Sequence, residues 1–140
     1  MIFVGIDPGE HTGVAVWDAD RQAFTELRTL KLHQALQFVA ELDDTADVAV
    51  VFEDARQRRW FPREHTASEY RGRLMGAGAA KRDAAIWQEF LDDLAIPYEA
   101  HAPRPGTTKW NEDYWRKVTG WQGRSSEHSR DAALLVFGRK

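Results

Sequence analysis

Three carboxylates and one imidazole stand out. Asp7 closes the apolar run of IFVGID, Glu53 closes that of ADVAVVFED, and Asp131 follows His128 by three residues in EHSRDAALL. An ionised carboxylate at the end of an apolar run is costly unless a cation sits against it. Residues three apart share a face of a helix, so His128 and Asp131 point the same way if their segment is helical. Should two strand ends and that helix face converge, three acids and an imidazole meet in one pocket. Charges so placed raise each other's pKa or require a cation. A set rich in oxygen and poor in nitrogen favours Mg²⁺ or Mn²⁺ over zinc. The chemistry served by such a site is phosphodiester hydrolysis, in which two ions ~3.5–4 Å apart hold the attacking water and the leaving oxygen. Taken singly, each residue has another reading. Asp7 before Pro-Gly suits an Asx turn, and Glu53 suits the first solvated position after a strand. His128 suits a capping-box partner of Ser125, and Asp131 suits a partner for Arg130, Glu127 or a loop arginine.

The elements that must position these groups follow from periodicity. IFVGID reads as a strand, TGVAVWD as a second, and AFTELRTL as a third after the polar turn DADRQ, which makes an antiparallel meander. LHQALQFVAEL puts Leu32, Ala35, Leu36 and Val39 on one helical face. ADVAVVFED is nearly continuous in apolar residues, as a central strand covered on both faces must be. Asp54, next to Glu53, points to the opposite face and is expected to be solvated. ARQRRWFPREH is basic, aromatic and aperiodic, and Pro62 breaks it, so it reads as a loop. GAGAAKRDAAIWQEFLDDLAI predicts a helix with Trp87, Phe90, Leu91 and Leu94 inward and with Gly76 and Gly78 near its start, and PYEAH a short strand. TKWNEDYWRKV predicts a helix opened by a Thr cap, with Trp110, Tyr114 and Val118 on one face. SSEHSRDAALLVFG predicts the last helix, capped by Ser125, with Leu134, Leu135 and Phe137 as its apolar end. The sum is one α/β domain over residues 1–140, a five-stranded mixed sheet flanked by helices.

Composition narrows the class. At 140 residues the chain can bury roughly 70% of the surface its unfolded form exposes. It has no Cys, which excludes disulfides, thiol catalysis and Cys-ligated zinc. No apolar run approaches the ~18 residues of a membrane span, and MIFVGID lacks a basic leader, so no membrane partner and a cytoplasmic location are expected. The net charge of −3 conceals an asymmetry: residues 1–54 carry three Lys/Arg against eleven Asp/Glu, and residues 55–140 carry sixteen against eleven. An acidic pocket beside a basic surface suits a nucleic-acid enzyme, although two differing solvated faces give the same tally.

The segments GIDPGEHTGVAVWD, VVFED and EHSRDAALLV resemble the signature segments of the RuvC-like Holliday junction resolvases, within the ribonuclease H-like fold. RGRLMGAGAAKRDAAIWQEFL is similar to the stretch leading into that family's long central helix, and the short loops and the GWQGRSSEHSRDAALL ending look more like phage-borne members than the cellular enzyme. The resemblance implies a Mg²⁺-dependent endonuclease, with Mn²⁺ as a substitute, acting on four-way DNA junctions in a bacterial host cell, as a homodimer joined along the central helix. Matched residue by residue, Asp7, Glu53 and Asp131 fall on the metal carboxylates. His128 falls where members carry a His or a fourth acid, serving as ligand or as the base that orients water. Lys109 falls near a lysine that stabilises the phosphate in flight. Members commonly place an aromatic just after the catalytic Glu; this chain has Ala55, Arg56 and Gln57, and its aromatics Trp60 and Phe61 come later, where they could stack on bases or tether the loop. DNA contacts are expected from Arg56, Arg58, Arg59, Arg63, Arg71, Arg73, Lys81 and Arg82, with Trp60 and Phe61. His11 sits in the turn near Asp7, while His33, His65 and His101 lack a partner pattern. Two other functions fit parts of the pattern: a structured-RNA nuclease of the same fold, of the pre-ribosomal RNA processing type, and a non-catalytic binder of branched DNA.

Overall fold

A computed structural model describes residues 1–58, 66–103 and 110–140, with Arg73 described by its backbone alone. Five strands form one sheet: β1 (Ile2–Asp7), β2 (His11–Asp18), β3 (Ala23–Lys31), β4 (Val48–Glu53) and β5 (Tyr98–His101). Four helices surround it: α1 (Leu32–Asp43), α2 (Ala67–Asp93), α3 (Glu112–Thr119) and α4 (Glu127–Leu134). The strand order is β3-β2-β1-β4-β5. β1, β2 and β3 are antiparallel neighbours, and β4 lies parallel to both β1 and β5. This is the mixed five-stranded sheet, with its first three strands antiparallel, expected from the sequence.

Alternation along the strands divides the core into two layers. On one face Val4, Ile6, Val14, Val16, Val48, Val50 and Phe52 pack with Ala35 and Val39 of α1 and with Ala84, Trp87 and Leu91 of α2. On the other, Ala15, Trp17 and Val51 pack with Trp115 of α3 and with Ala132, Ala133 and Val136 around α4. Burying a side chain the size of Leu91 or Val136 contributes ~1.5–3 kcal/mol, so each layer is held by many such increments. β2 and β4 are buried on both faces, since each sends alternate residues into the two layers.

Several local expectations give way. α2 begins at Ala67, with Thr66 as its cap accepting from the Glu69 amide, so Gly76 and Gly78 lie in mid-helix with open space around them. Leu94 is the exposed C-terminal cap rather than an inward residue, and Ile96 beyond it is the buried one. α3 is capped by Asn111, whose side chain accepts from the Tyr114 amide at 2.8 Å, and not by a threonine. Its buried residue is Trp115, while Tyr114 and Val118 face solvent. α4 is capped by Ser126, one residue later than expected, in a reciprocal capping box with Ser129. Its core face is Ala132, Ala133 and Val136; Leu134 and Leu135 are half-buried and Phe137 is exposed.

Candidate active site

The second layer is also the layer of the acids. In β1, residues 3, 5 and 7 share a face, and pairing sets Asp7 opposite Gly13 of β2 and Gly5 beside Val51 of β4. Alternation therefore puts Asp7, the residues at 11 and 13, and Glu53 on the side that carries α4. Two glycines make that approach possible. A Cβ on Gly5 would overlap the Ala132 carbonyl oxygen, and one on Gly13 would overlap the His128 carbonyl oxygen. With backbone against backbone, α4 delivers His128 and Asp131 to the ends of β1 and β4. The helix is pinned there from several sides. Ser126 Oγ meets Thr29 Oγ1 of β3. Arg130 donates through Nε to the Trp110 carbonyl at 3.1 Å and through Nη1 to Ser125. Past the helix, the Trp17 indole N–H donates to the Arg139 carbonyl at 2.8 Å.

The charges are felt at Asp7. Burial, reinforced by the negative charges of Glu53 and then Asp131, pushes its carboxyl from 3.8 up to about 6. His128 opposes the rise: its Nδ1 lies 3.3 Å from Asp7 Oδ2, and the ring N–H donates there when that nitrogen carries the proton. Asp7 is thus within electrostatic reach of Glu53, Asp131 and His128, and in contact with His128. Among the described residues, no three His, Asp or Glu side chains close tightly enough around one point to hold a metal ion. The acids are gathered without being closed into a cage. The donor set nevertheless suits a hard divalent cation, being rich in carboxylate oxygen.

Other expected site residues lie elsewhere. Asp54 is not solvated but 4% exposed, and it caps the short 3-10 turn Ala55–Gln57. Burial pushes its carboxyl up, but hydrogen bonds from Arg56 and Gln57 and the Arg56 charge outweigh burial and leave it low. Arg56 is thereby engaged within the fold. Its Nε and Nη2 donate to the two Asp54 oxygens at 2.8 and 3.0 Å, and Nη2 also reaches Gln88 of α2 at 2.6 Å. Its sequence neighbourhood suggested DNA contact; its geometry makes it a clamp between β4 and α2. Arg58, Arg71, Lys81 and Arg82 are exposed, and Arg82 meets Glu89 at 3.3 Å. Arg59, Trp60, Phe61, Arg63 and Lys109, and the side chain of Arg73, lie outside the described residues. The structure adds His11, whose ring centroid is 6.3 Å from that of His128. The signal in the sequence was its spacing: two residues before Gly13, on the same face of β2.

No protein-family model matches the chain, and no curated protein does. Among solved structures, the chain is similar to the large terminase nuclease from thermophilic phage G20c, with 18% identity and a TM-score of 0.41. The match covers 99% of this chain and 55% of that one, so the chain spans about half the length of that nuclease.

Proposed function

We propose that this chain is a metal-dependent endonuclease of the RuvC-like kind, cleaving branched DNA such as four-way junctions. One observation carries the reading: Asp7 is buried at the end of β1, where burial and then the charges of Glu53 from β4 and Asp131 from α4 raise its carboxyl to about 6. A bound cation would oppose that rise.

Asp7, Glu53 and Asp131 are the residues that would hold Mg²⁺ or Mn²⁺, with His128 as a further ligand or as the base that orients water. Divalent ions bound there supply a nucleophilic water and neutralise charge developing on the phosphate. The chain's own part is placement. β1 and β4 fix two carboxylates on a rigid sheet, and α4 brings the third together with an imidazole. The hydrogen bond from Nδ1 to Asp7 orients the His128 ring and leaves Nε2 as the nitrogen for water or substrate. Half-exposed His128 marks the solvent side, from which a phosphate would arrive. The proposal extends to a homodimer, supported by the exposed Tyr70, Leu74 and Met75 on the first half of α2.

The test is cleavage of a synthetic four-way junction in Mg²⁺ or Mn²⁺, beside linear duplex, a flap and a structured RNA. Preferential junction cleavage, abolished by Asp7→Asn with DNA binding intact, supports the reading. Preference for the RNA reassigns the substrate. Junction binding without cleavage under either ion leaves a binder of branched DNA.

A further inference from the structure

The arginines that the sequence offers for DNA lie between residues 56 and 82, after β4. The sheet order places β2 and β3 on the opposite side of Asp7. That side carries a row of nitrogen donors. His11 pairs with Lys31 at the ends of β2 and β3, just beyond the Gly13–Thr29 pair. Alternation puts His11 on the face of Gly13 and Lys31 on the face of Thr29. That face is the α4 face on two independent counts: Gly13 abuts the His128 backbone, and Thr29 touches the Ser126 cap. The His11 and His128 rings are neighbours, and His128 reaches Asp7.

Lys31, His11 and His128 therefore lie on one face, between the β3 edge and Asp7. With adjacent strands ~4.8 Å apart, the row spans roughly 10–15 Å. That is about three or four nucleotides of a strand at ~3.4 Å per step. Among the described residues, no carboxylate forms an ion pair with Lys31 or His11. Lys31 is moreover the N-cap of α1, which has no acid in its first turn. A cation at the positive end of a helix is unfavourable, and an anion placed there is stabilised. Neither the first turn of α1 nor a described ion pair sets a carboxylate against Lys31.

We propose that His11 and Lys31 carry the phosphates flanking the scissile one, so that the cut strand crosses the ends of β3 and β2 on its way to Asp7. The inference rests on the nuclease reading for its reaction but not for its test. A fluorescent four-way junction is bound in Ca²⁺ at a series of salt concentrations, with the strands checked intact on a gel. Lys31→Ala is expected to lower the slope of log K against log salt by about 0.9, the loss of one phosphate contact. His11→Ala is expected to weaken binding about 3- to 10-fold, the size of one hydrogen bond, with His11→Gln recovering part of it by keeping an N–H. Arg21→Ala, at the far end of the β2–β3 hairpin, is expected to bind as wild type. Unfolding midpoints of all variants establish that the fold is intact.

Lys31→Ala with an unchanged slope and His11→Ala with unchanged affinity overturn the proposal, even if the wild type cleaves junctions. A wild type that binds and shows both effects, yet cuts nothing under Mg²⁺ or Mn²⁺, keeps the phosphate row and loses the nuclease. A wild type that binds no DNA loses both.

Discussion

Replacing Asp7 by Asn should make the protein more stable at neutral pH while abolishing cleavage. The carboxyl is raised from 3.8 to about 6, about two units, and each unit is ~1.4 kcal/mol of interaction disfavouring the ionised form. Ionised Asp7 therefore weakens the fold by about 3 kcal/mol. Asn keeps the shape without the charge, and the shift of about two units already includes the opposing contact with His128. The gain at pH 7.5 is therefore about 3 kcal/mol, or roughly 10 °C in Tm for a domain of this size. The sign follows from linkage. Between 3.8 and about 6 the folded protein holds a proton on Asp7 that the unfolded chain has released, so this group's contribution to stability falls as pH rises through that window. The advantage of the Asn variant is accordingly near zero at pH 4 and complete above about pH 6.5. Titrating groups remote from Asp7 are common to both proteins and cancel in the difference. Urea unfolding in EDTA at four pH values between 4 and 7.5 measures it. Adding Mn²⁺ at ~100-fold over its Kd should then stabilise the wild type by about 2.7 kcal/mol and leave the variant unmoved. A difference that is flat with pH, or a wild type more stable than the variant at pH 7.5, would refute the claim that crowded charge sits on Asp7.

Further outcomes follow from the same geometry. Ligands must be deprotonated to bind a cation, so Mn²⁺ affinity should fall about tenfold per unit below pH 6, where Asp7 takes up its proton; calorimetric titration between pH 5 and 7.5 tests this. His128→Ala removes the one contact that lowers the Asp7 carboxyl, so the pH at which Mn²⁺ binding is half lost should move upward in the same titration. Gly13→Ala forces a methyl against the His128 backbone; overpacking costs about 1–3 kcal/mol and displaces the first turn of α4, so activity should fall further than the Tm alone accounts for. Arg56→Ala leaves the Asp54 carboxylate buried without its cation. With Arg56 itself about a third exposed, water takes up part of the loss, so the cost is about 1–3 kcal/mol, and urea unfolding should show it while junction binding by the folded fraction changes little.

How much of this could be read from the chain depends on which signal each element carries. The strands were legible because alternation was clean and Asp7 and Glu53 marked their ends. The first half of α2 was not, because Tyr70, Leu74 and Met75 pack on nothing among the described residues and leave no inward stripe to detect. Its start was nevertheless written in Thr66-x-x-Glu69, the spacing of a capping box, which periodicity alone passes over. In α3 two apolar rows compete: Trp110, Tyr114 and Val118 fall four apart, but the fold buries the row of Trp115. Asn111 with Glu112 and Asp113 was the better start signal, since an Asn cap and acids in the first turn both satisfy the positive helix end. Asp54 was misjudged because a strand's outward neighbour is solvated only when nothing covers it; here a turn folds back and Arg56 covers it.

The site itself was legible as residue types and illegible as a distance. Nothing in the spacing of 7, 53 and 131 states that α4 lies on the sheet closely enough for their charges to interact. Gly5 and Gly13 decide that. Each alternates with residues that are β-branched, aromatic or alanine, and each is the one place in its strand where a helix backbone can touch the sheet. The same face then carries Asp7 two residues after Gly5 and His11 two residues before Gly13. The small residues that seat α4 and the polar residues that flank its first turns are thus one pattern. A substitution that lifts α4 off the sheet should move the Asp7 carboxyl part of the way back toward 3.8, since it weakens burial and the Asp131 charge by more than the lost His128 contact offsets, while Glu53 stays. Measuring the Asp7 carboxyl by NMR titration in Gly5→Ala tests this directly: a value still near 6 would mean that α4 is not what crowds the charge.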